Sequence, residues 1–179
     1  MHNLSVQTGR APATYVAPAR VVPHPATATV RAAQSRDLAA ILALVNAYAA
    51  DGLMLPRTEA QVAGMIDHYV VAVDRSNTVL ACAALDEYSP SLAEVSSVAV
   101  SCNALGRGLG SAVVMGVERL AELRGVTELF AMSLTDDFFR SLGYAQTSVS
   151  RYPEKLARYS KLRDNGHEIV PRRCWKKAL

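Results

Sequence analysis

"VAVSCNALGRGLGSA", residues 98–112, sets Gly106, Gly108 and Gly110 within five positions, after an alternating apolar run and before a helix-like one. Glycine costs chain entropy on folding, so it is kept from element ends unless the backbone must take an unusual path or approach something closely. A strand, a glycine turn and a helix start leave unpaired backbone N–H groups at a helix N-terminus. That is an anion site that needs no side chain. Three glycines there favour a bound phosphate over a plain tight connector. Working outward, "AEVSSVAV" (93–100) alternates as a strand. Strict alternation puts Val95, Ser97 and Ala99 on one face and Glu94, Ser96, Val98 and Val100 on the other. On the far side, Val113, Val117, Leu120 and Leu123 keep helical spacing up to Gly125, a suitable C′ residue.

The same reading extends to both ends. "TVRAA" (29–33) predicts a first strand. Ser35 as N-cap and Asp37 in the first turn open a helix carried by Leu38, Ile41, Leu42, Val45 and Tyr48. Thr58 and Gln61 form a capping-box pattern ahead of a short second helix with Val62, Met65 and Ile66. "HYVVAV" and "TVLACAAL" read as strands joined through Asp74–Asn77. "TELFAM" is a fifth strand, "DDFFRSLG" a short helix and "YAQTSVS" a sixth strand. A last helix runs from Pro153, at N1, to Gly166, followed by the basic tail "HEIVPRRCWKKAL". The order predicts an α/β (α+β) layer fold, a mixed six- to seven-stranded sheet flanked by helices.

The 179 residues suffice for one domain with a proper core. Half are hydrophobic and a fifth charged, an ordinary soluble composition. A net charge of +3 with no dense Lys/Arg stripe argues against nucleic acid. No apolar run is long enough to cross a bilayer. Cys82, Cys102 and Cys174 are odd in number and lack ligand spacing, and His68 and His167 have no partner at metal spacing. No metal is therefore expected, and the thiols read as reduced in a cytoplasmic setting. Residues 1–27, rich in Ala and Pro and free of acids, read as a flexible N-terminal arm. Residues 28–179 read as a single domain with a C-terminal helix and basic tail.

A P-loop would need a lysine at its end, and a dinucleotide fingerprint would sit in the first strand–helix unit. Neither holds here. In mid-chain, "SSVAVSCNALGRGLGSAVV" resembles the acetyl-CoA-binding motif of the GNAT N-acetyltransferase family, Arg/Gln-x-x-Gly-x-Gly/Ala, falling on Leu105, Gly108 and Gly110. "DGLMLPR" (51–57), "VLACAALDEY" (79–88), "AEVSSVAVS" (93–101), "ELFAMSLTDDFFRSLGY" (128–144) and "YPEKLARYSKL" (152–162) are similar to the acetyltransferase domain of bacterial N-acetylglutamate synthases. The likeness covers about four fifths of the chain. It implies an enzyme that moves acetyl from acetyl-CoA to the α-amine of L-glutamate by direct attack, the first step of arginine biosynthesis.

The resemblance also assigns roles. Backbone N–H groups of Val98 and Val100 would face the pantetheine and thioester, with the side chains free to be core valines. Gly106, Arg107, Gly108, Gly110 and Ser111 would hold the pyrophosphate. Glu94 is the candidate base, or a solvated strand-end glutamate. Arg57 is the candidate acceptor-binding arginine, or a surface residue after a proline. Cys82 matches the acceptor-pocket cysteine, or is a small buried residue, and Ser97 and Ser133 line the same cavity. Two positions depart from the family: Leu105 replaces a basic or amide residue, and Phe139 stands where many relatives place a general-acid tyrosine. The charged residues of the last helix read as a solvated face. Arg172, Arg173, Lys176 and Lys177 are candidates for the 3′-phosphate or a partner subunit. The expected partners are a small-molecule amino acid and, left open, a second copy of the chain, with no nucleic acid and no membrane. The alternatives are another acceptor such as glutamine, or a CoA-binding regulatory module without turnover.

Overall fold

The computed structural model describes residues 28–179, so the reading of residues 1–27 as an arm lies outside the described residues. Seven strands form one sheet in the order β1-β2-β3-β4-β5-β7-β6. They are β1 (Thr29–Ala32), β2 (Tyr69–Val73), β3 (Val79–Ser89), β4 (Leu92–Val100), β5 (Glu128–Ser133), β6 (Ala145–Thr147) and β7 (Arg173–Ala178). The helices are α1 (Leu38–Ala50), α2 (Glu59–Ala63), α3 (Leu109–Leu123), α4 (Asp136–Ser141) and α5 (Pro153–Asp164). Only the β4–β5 pair is parallel, and α3 supplies the crossover such a pair requires.

Two apolar layers fix the helices. Val113, Val114, Val117 and Ala121 of α3 pack with Val70, Ala83, Leu85, Val95 and Leu129 on one face. Ile41, Val45 and Val62 of α1 and α2 pack with Val71, Cys82, Ala84 and Ala99 on the other. Close approach of α3 depends on Gly116, where an added Cβ would lie 2.7 Å from Val70 Cγ1. The α2 start follows the sequence: Thr58 and Gln61 bond reciprocally, at 3.2 Å and 2.9 Å. The α1 start does not use Ser35 as its cap. A 3-10 turn over Ser35–Asp37 precedes the helix, and the Asp37 carboxylate accepts from the Gln34 N–H at 2.8 Å while pairing with Arg31 at 2.6 Å.

Two further expectations are corrected. The alternation assigned to β4 breaks: Val95 lies in the α3-side core, whereas Ala99 lies in the α1-side core. Between Cys82 and Ala84 the β3 partners jump from Ala99 to Ser96, one residue too many on β4. Ser97 takes a left-handed φ of 51° there. A bulge has swapped the faces, so Glu94 and Ser96 face α1 while Val98 and Val100 pack against the α3-side core. The second correction is the basic tail. Arg173–Ala178 is a strand, inserted between β5 and β6 with Trp175 in the core.

Candidate active site

The β4–β5 ladder holds only from Leu92↔Glu128 to Val95↔Ala131. Beyond Val95 the two strands run on without pairing, so β4 has an open edge there. Alternation along β4 identifies the groups on that edge. Ser101 N–H bonds to Leu80 O at 2.8 Å, toward β3. The Val100 carbonyl turns the other way and accepts from the Tyr48 hydroxyl at 2.7 Å. The amides of Val100 and, two residues back, Val98 therefore face the gap, as donors without a strand partner.

The gap leads to the N-terminus of α3. The chain arrives there through Gly106 and Gly108, at φ 73° and 74°, a left-handed path that suits glycine and leaves open space where a Cβ would stand. Gly108 is the N-cap, and the first turn closes with Ala112 N–H on Gly108 O at 3.0 Å. The amides of Leu109, Gly110 and Ser111 have no intrahelical acceptor. At Gly110 a Cβ would just touch Phe138 at 3.4 Å and Val100 at 3.5 Å, ordinary contacts that leave no space for a larger side chain. Together these elements wall a cleft of about 780 Å³. Open spaces beside left-handed glycines and free helix-start amides suit a diphosphate.

The other end of the cleft is ionic. Register places Asp86 directly opposite Glu94 across β3–β4. Two carboxylates on one face repel unless cations answer them, and α5 supplies the cations. Lys155 Nζ donates to both Glu94 oxygens, at 2.7 Å and 2.8 Å. Arg158, three residues on and hence on the same helix face, donates to Asp86 Oδ2 at 3.0 Å. Arg57 donates to the same oxygen at 3.2 Å. Its backbone is fixed by Asn46 of α1, which accepts from Arg57 N–H at 2.9 Å and donates to Arg57 O at 3.0 Å. The Tyr88 hydroxyl donates to Glu94 Oε2 at 2.9 Å. Burial, and then the Glu94 charge, push that phenol well above its ordinary pKa, so it stays a donor. Burial alone pushes the Asp86 carboxyl up, but the charges of Arg57 and Arg158 and their hydrogen bonds outweigh it and hold the net value below normal.

Of the residues expected from the sequence, Glu94, Val98, Val100, Gly106, Gly108, Gly110, Ser111, Arg57, Ser97 and Ser133 all line this cleft. Two do not. Arg107 is exposed and is not one of the residues that line the cleft. Cys82 lies fully buried among the α1-side apolar residues, where burial raises its thiol to about 12. Its Sγ donates to the Ser97 carbonyl, at 3.6 Å. Glu94 is no solvated strand-end residue, being 3% exposed. Ser133 Oγ is engaged locally with Thr135, at 3.0 Å. Phe139 is buried against Phe138 and Tyr144. The Tyr144 phenol is raised by burial and then by Glu118, away from the cleft. Arg173 pairs with Asp136, Lys176 with Glu128 at 3.8 Å and Lys177 with Glu118 at 2.8 Å, while Arg172 at the cleft mouth donates to Leu53 O at 2.8 Å.

The sequence reading missed Asp86, Tyr88, Lys155 and Arg158. The signal was present: a tight "DEYSPSLAE" hairpin pairs two carboxylates, and a helix carries Lys and Arg three apart. Among the described residues no group of three or more His, Cys, Asp or Glu is placed to hold a metal ion, and no helix is long and apolar enough to cross a membrane.

Residues 40–147 match the acetyltransferase (GNAT) family. An uncharacterized N-acetyltransferase from Chlorobaculum tepidum is 33% identical over 129 residues, 72% of this chain and 83% of that protein. The amino-acid acetyltransferase of Pasteurella multocida is 27% identical over 129 residues, 71% of this chain and 29% of the relative. The chain thus spans under a third of that enzyme's length. N-acetylglutamate synthase from Neisseria gonorrhoeae, solved with coenzyme A and N-acetyl-glutamate, superposes with a TM-score of 0.74 at 26% identity, over 86% of this chain and 35% of that one. Rv2747 from Mycobacterium tuberculosis, solved in complex with CoA, shares the fold, with a TM-score of 0.73 at 24% identity over 84% of this chain and 99% of that one.

Proposed function

The chain belongs to the acetyltransferase (GNAT) family, and from that premise we propose that it transfers acetyl from acetyl-CoA to the α-amine of a free amino acid of the glutamate type, L-glutamate or its amide. One observation carries the reading. A single cleft joins free amides at an open strand edge and a helix start to a set of fixed cations at its far end.

The bound coenzyme supplies an activated acetyl thioester. The α3 amides and the Gly106–Gly108 turn hold its diphosphate. The Val98 and Val100 amides are the donors for a carbonyl oxygen gathering negative charge. Arg57 and Arg158 take the acceptor's carboxylate. Glu94 receives the proton that the amine must lose, directly or through a water. Its position is set by Lys155 and Tyr88. The amine nitrogen bonds to the acetyl carbon as the carbon–sulfur bond breaks, with no acyl-enzyme. N-acetylglutamate formation, the first step of arginine biosynthesis, is the pathway role this reading implies. The fold likeness, at 26% identity, to an N-acetylglutamate synthase solved with coenzyme A and N-acetyl-glutamate supports it.

A second reading rests on Phe139, whose ring gives that corner no phenol to protonate a leaving thiolate. It makes the chain a CoA-binding module without turnover. Thiol release measured with L-glutamate, L-glutamine, L-aspartate and polyamines decides. Release with glutamate or glutamine at least about tenfold above the rest is expected. CoA binding with no release for any amine supports the second reading, and release confined to polyamines overturns the first.

A further inference from the structure

We propose that Lys155 is itself an acetyl acceptor: with acetyl-CoA bound and no amino acid present, the protein acetylates the Nζ of this lysine. The inference rests on the acetyl-transfer reading above.

The base fixes where an acceptor amine must stand. Proton removal needs the amine within hydrogen-bond reach of Glu94, or one water away. A primary amine already occupies that place. Lys155 Nζ lies 2.7 Å and 2.8 Å from the two Glu94 oxygens. Both residues line the cleft, although each is under a tenth exposed. The β4–β5 ladder ends at Val95, next to Glu94, and the open edge with the Val98 and Val100 amides follows. Amine, base and the donors for the thioester oxygen therefore share one cleft, which replaces an encounter from solution. Among the described residues the ammonium hydrogen-bonds to Glu94 alone, and it lies 4.7 Å over the Tyr159 ring. No backbone carbonyl holds it, and a lysine stem is flexible.

The step balances within the cleft. Glu94 takes one proton from the ammonium. The amine nitrogen bonds to the acetyl carbon as the carbon–sulfur bond breaks. The departing thiolate takes a second proton from that nitrogen, leaving an amide at Lys155 and free CoA.

Four lysines allow a comparison within one chain: Lys155, Lys161, Lys176 and Lys177. Acetylation by reagent in solution favours the exposed Lys161 and reaches Lys155, the most buried of them, last.

The test is incubation of the full chain with acetyl-CoA and no amino acid, followed by tryptic mapping in a mass spectrometer. Trypsin does not cut after acetyl-lysine, so residues 152–158 stay in one peptide once Lys155 is modified. Lys155 is expected to be acetylated at least about tenfold faster than Lys161, because the bound thioester and the adjacent base act together. The rate per chain is expected not to change with protein concentration. Excess CoA, which fills the site without an acetyl group, is expected to suppress the Lys155 signal and leave the other lysines unaffected. Labelling confined to Lys161, Lys176 and Lys177 overturns the proposal. So does Lys155 labelling that excess CoA does not suppress, or that quickens per chain as the protein is concentrated. Thiol release by the same preparation with L-glutamate and L-glutamine tells the failures apart. Release without acetylated Lys155 overturns this inference alone, and no release with any amine and no labelled Lys155 removes the acetyl-transfer reading with it.

Discussion

Lys155 shows how much a single side chain can decide. It was legible only as one more charge on a solvated helix, yet it is 6% exposed and balances Glu94. Removing one member of a buried ion pair leaves an uncompensated charge, at a cost of about 3–5 kcal/mol. Lys155→Met is therefore expected to lower unfolding stability by about that much, and Lys155→Met with Glu94→Gln by clearly less. Urea unfolding of both variants checks this. Asp37 gives a pH-dependent counterpart. Its hydrogen bond from Arg31, opposed by burial and reinforced by the Gln34 N–H, holds its carboxyl below the usual range. A lowered folded-state pKa stabilises above the ordinary aspartate value of about 4, and the contribution disappears as pH falls through the lowered value. Asp37→Ala should cost about 1–3 kcal/mol at pH 7, and the difference from wild type should shrink on acidification well below pH 4. The thiols differ by burial as well. Cys82 is raised to about 12 and Cys174 to about 11, while Cys102 is exposed. One fast-reacting thiol in the native protein is the expected outcome of labelling at pH 7, with three after unfolding. The family resemblance identifies Arg57 and Glu94 as candidates, but burial and partners depend on register between distant segments, which no local pattern states.

At the scale of elements, signals written within a few residues were readable. The Thr58–Gln61 cap, the glycine turn before α3 and the apolar spacing of α1 and α3 each depend on neighbours in sequence. The β4 bulge was not, because one extra residue at Ser97 leaves the composition of the run unchanged while reversing which side chains face which core. That reversal puts the Val98 and Val100 side chains on the face opposite Glu94, while their amides stay on the open edge that borders the cleft. The α3 start should therefore be sensitive in a graded way. Gly110→Leu must displace Phe138 and Val100, and is expected to abolish measurable CoA binding. Gly108→Ala adds a Cβ into open space but strains φ 74°, at a cost of about 1–2 kcal/mol. It should weaken binding without abolishing it. Unchanged affinity in both, by calorimetry, contradicts the assignment of the loop. Gly116→Ala tests packing alone: overpacking against Val70 should destabilise by about 1–3 kcal/mol and leave CoA affinity intact.

Over the whole molecule, the C-terminal strand closes the structure. β6 pairs with β7 and with no other strand, and β7 is also the outer partner of β5. The tail hid this role because Arg173, Lys176 and Lys177 gave it the look of a basic extension, whereas each pairs with an acid elsewhere in the chain and Cys174 and Trp175 go inward. The consequence reaches the cleft. β5 forms the lip opposite the open edge of β4, and it keeps four partners on β4 but six on β7. With β7 gone, the lip would hang on its shorter ladder. Deleting residues 173–179 should thus remove cooperative thermal unfolding and CoA binding together. Trp175→Ala, by contrast, leaves the β7 backbone in place and costs about 3–5 kcal/mol for the cavity. That variant should unfold cooperatively at a lower temperature and still bind CoA when cold. If the truncated chain keeps both a sharp transition and CoA affinity, β7 is not what holds the two halves of the cleft in register. If Trp175→Ala loses CoA binding while still folded, the strand contributes to the site by more than support.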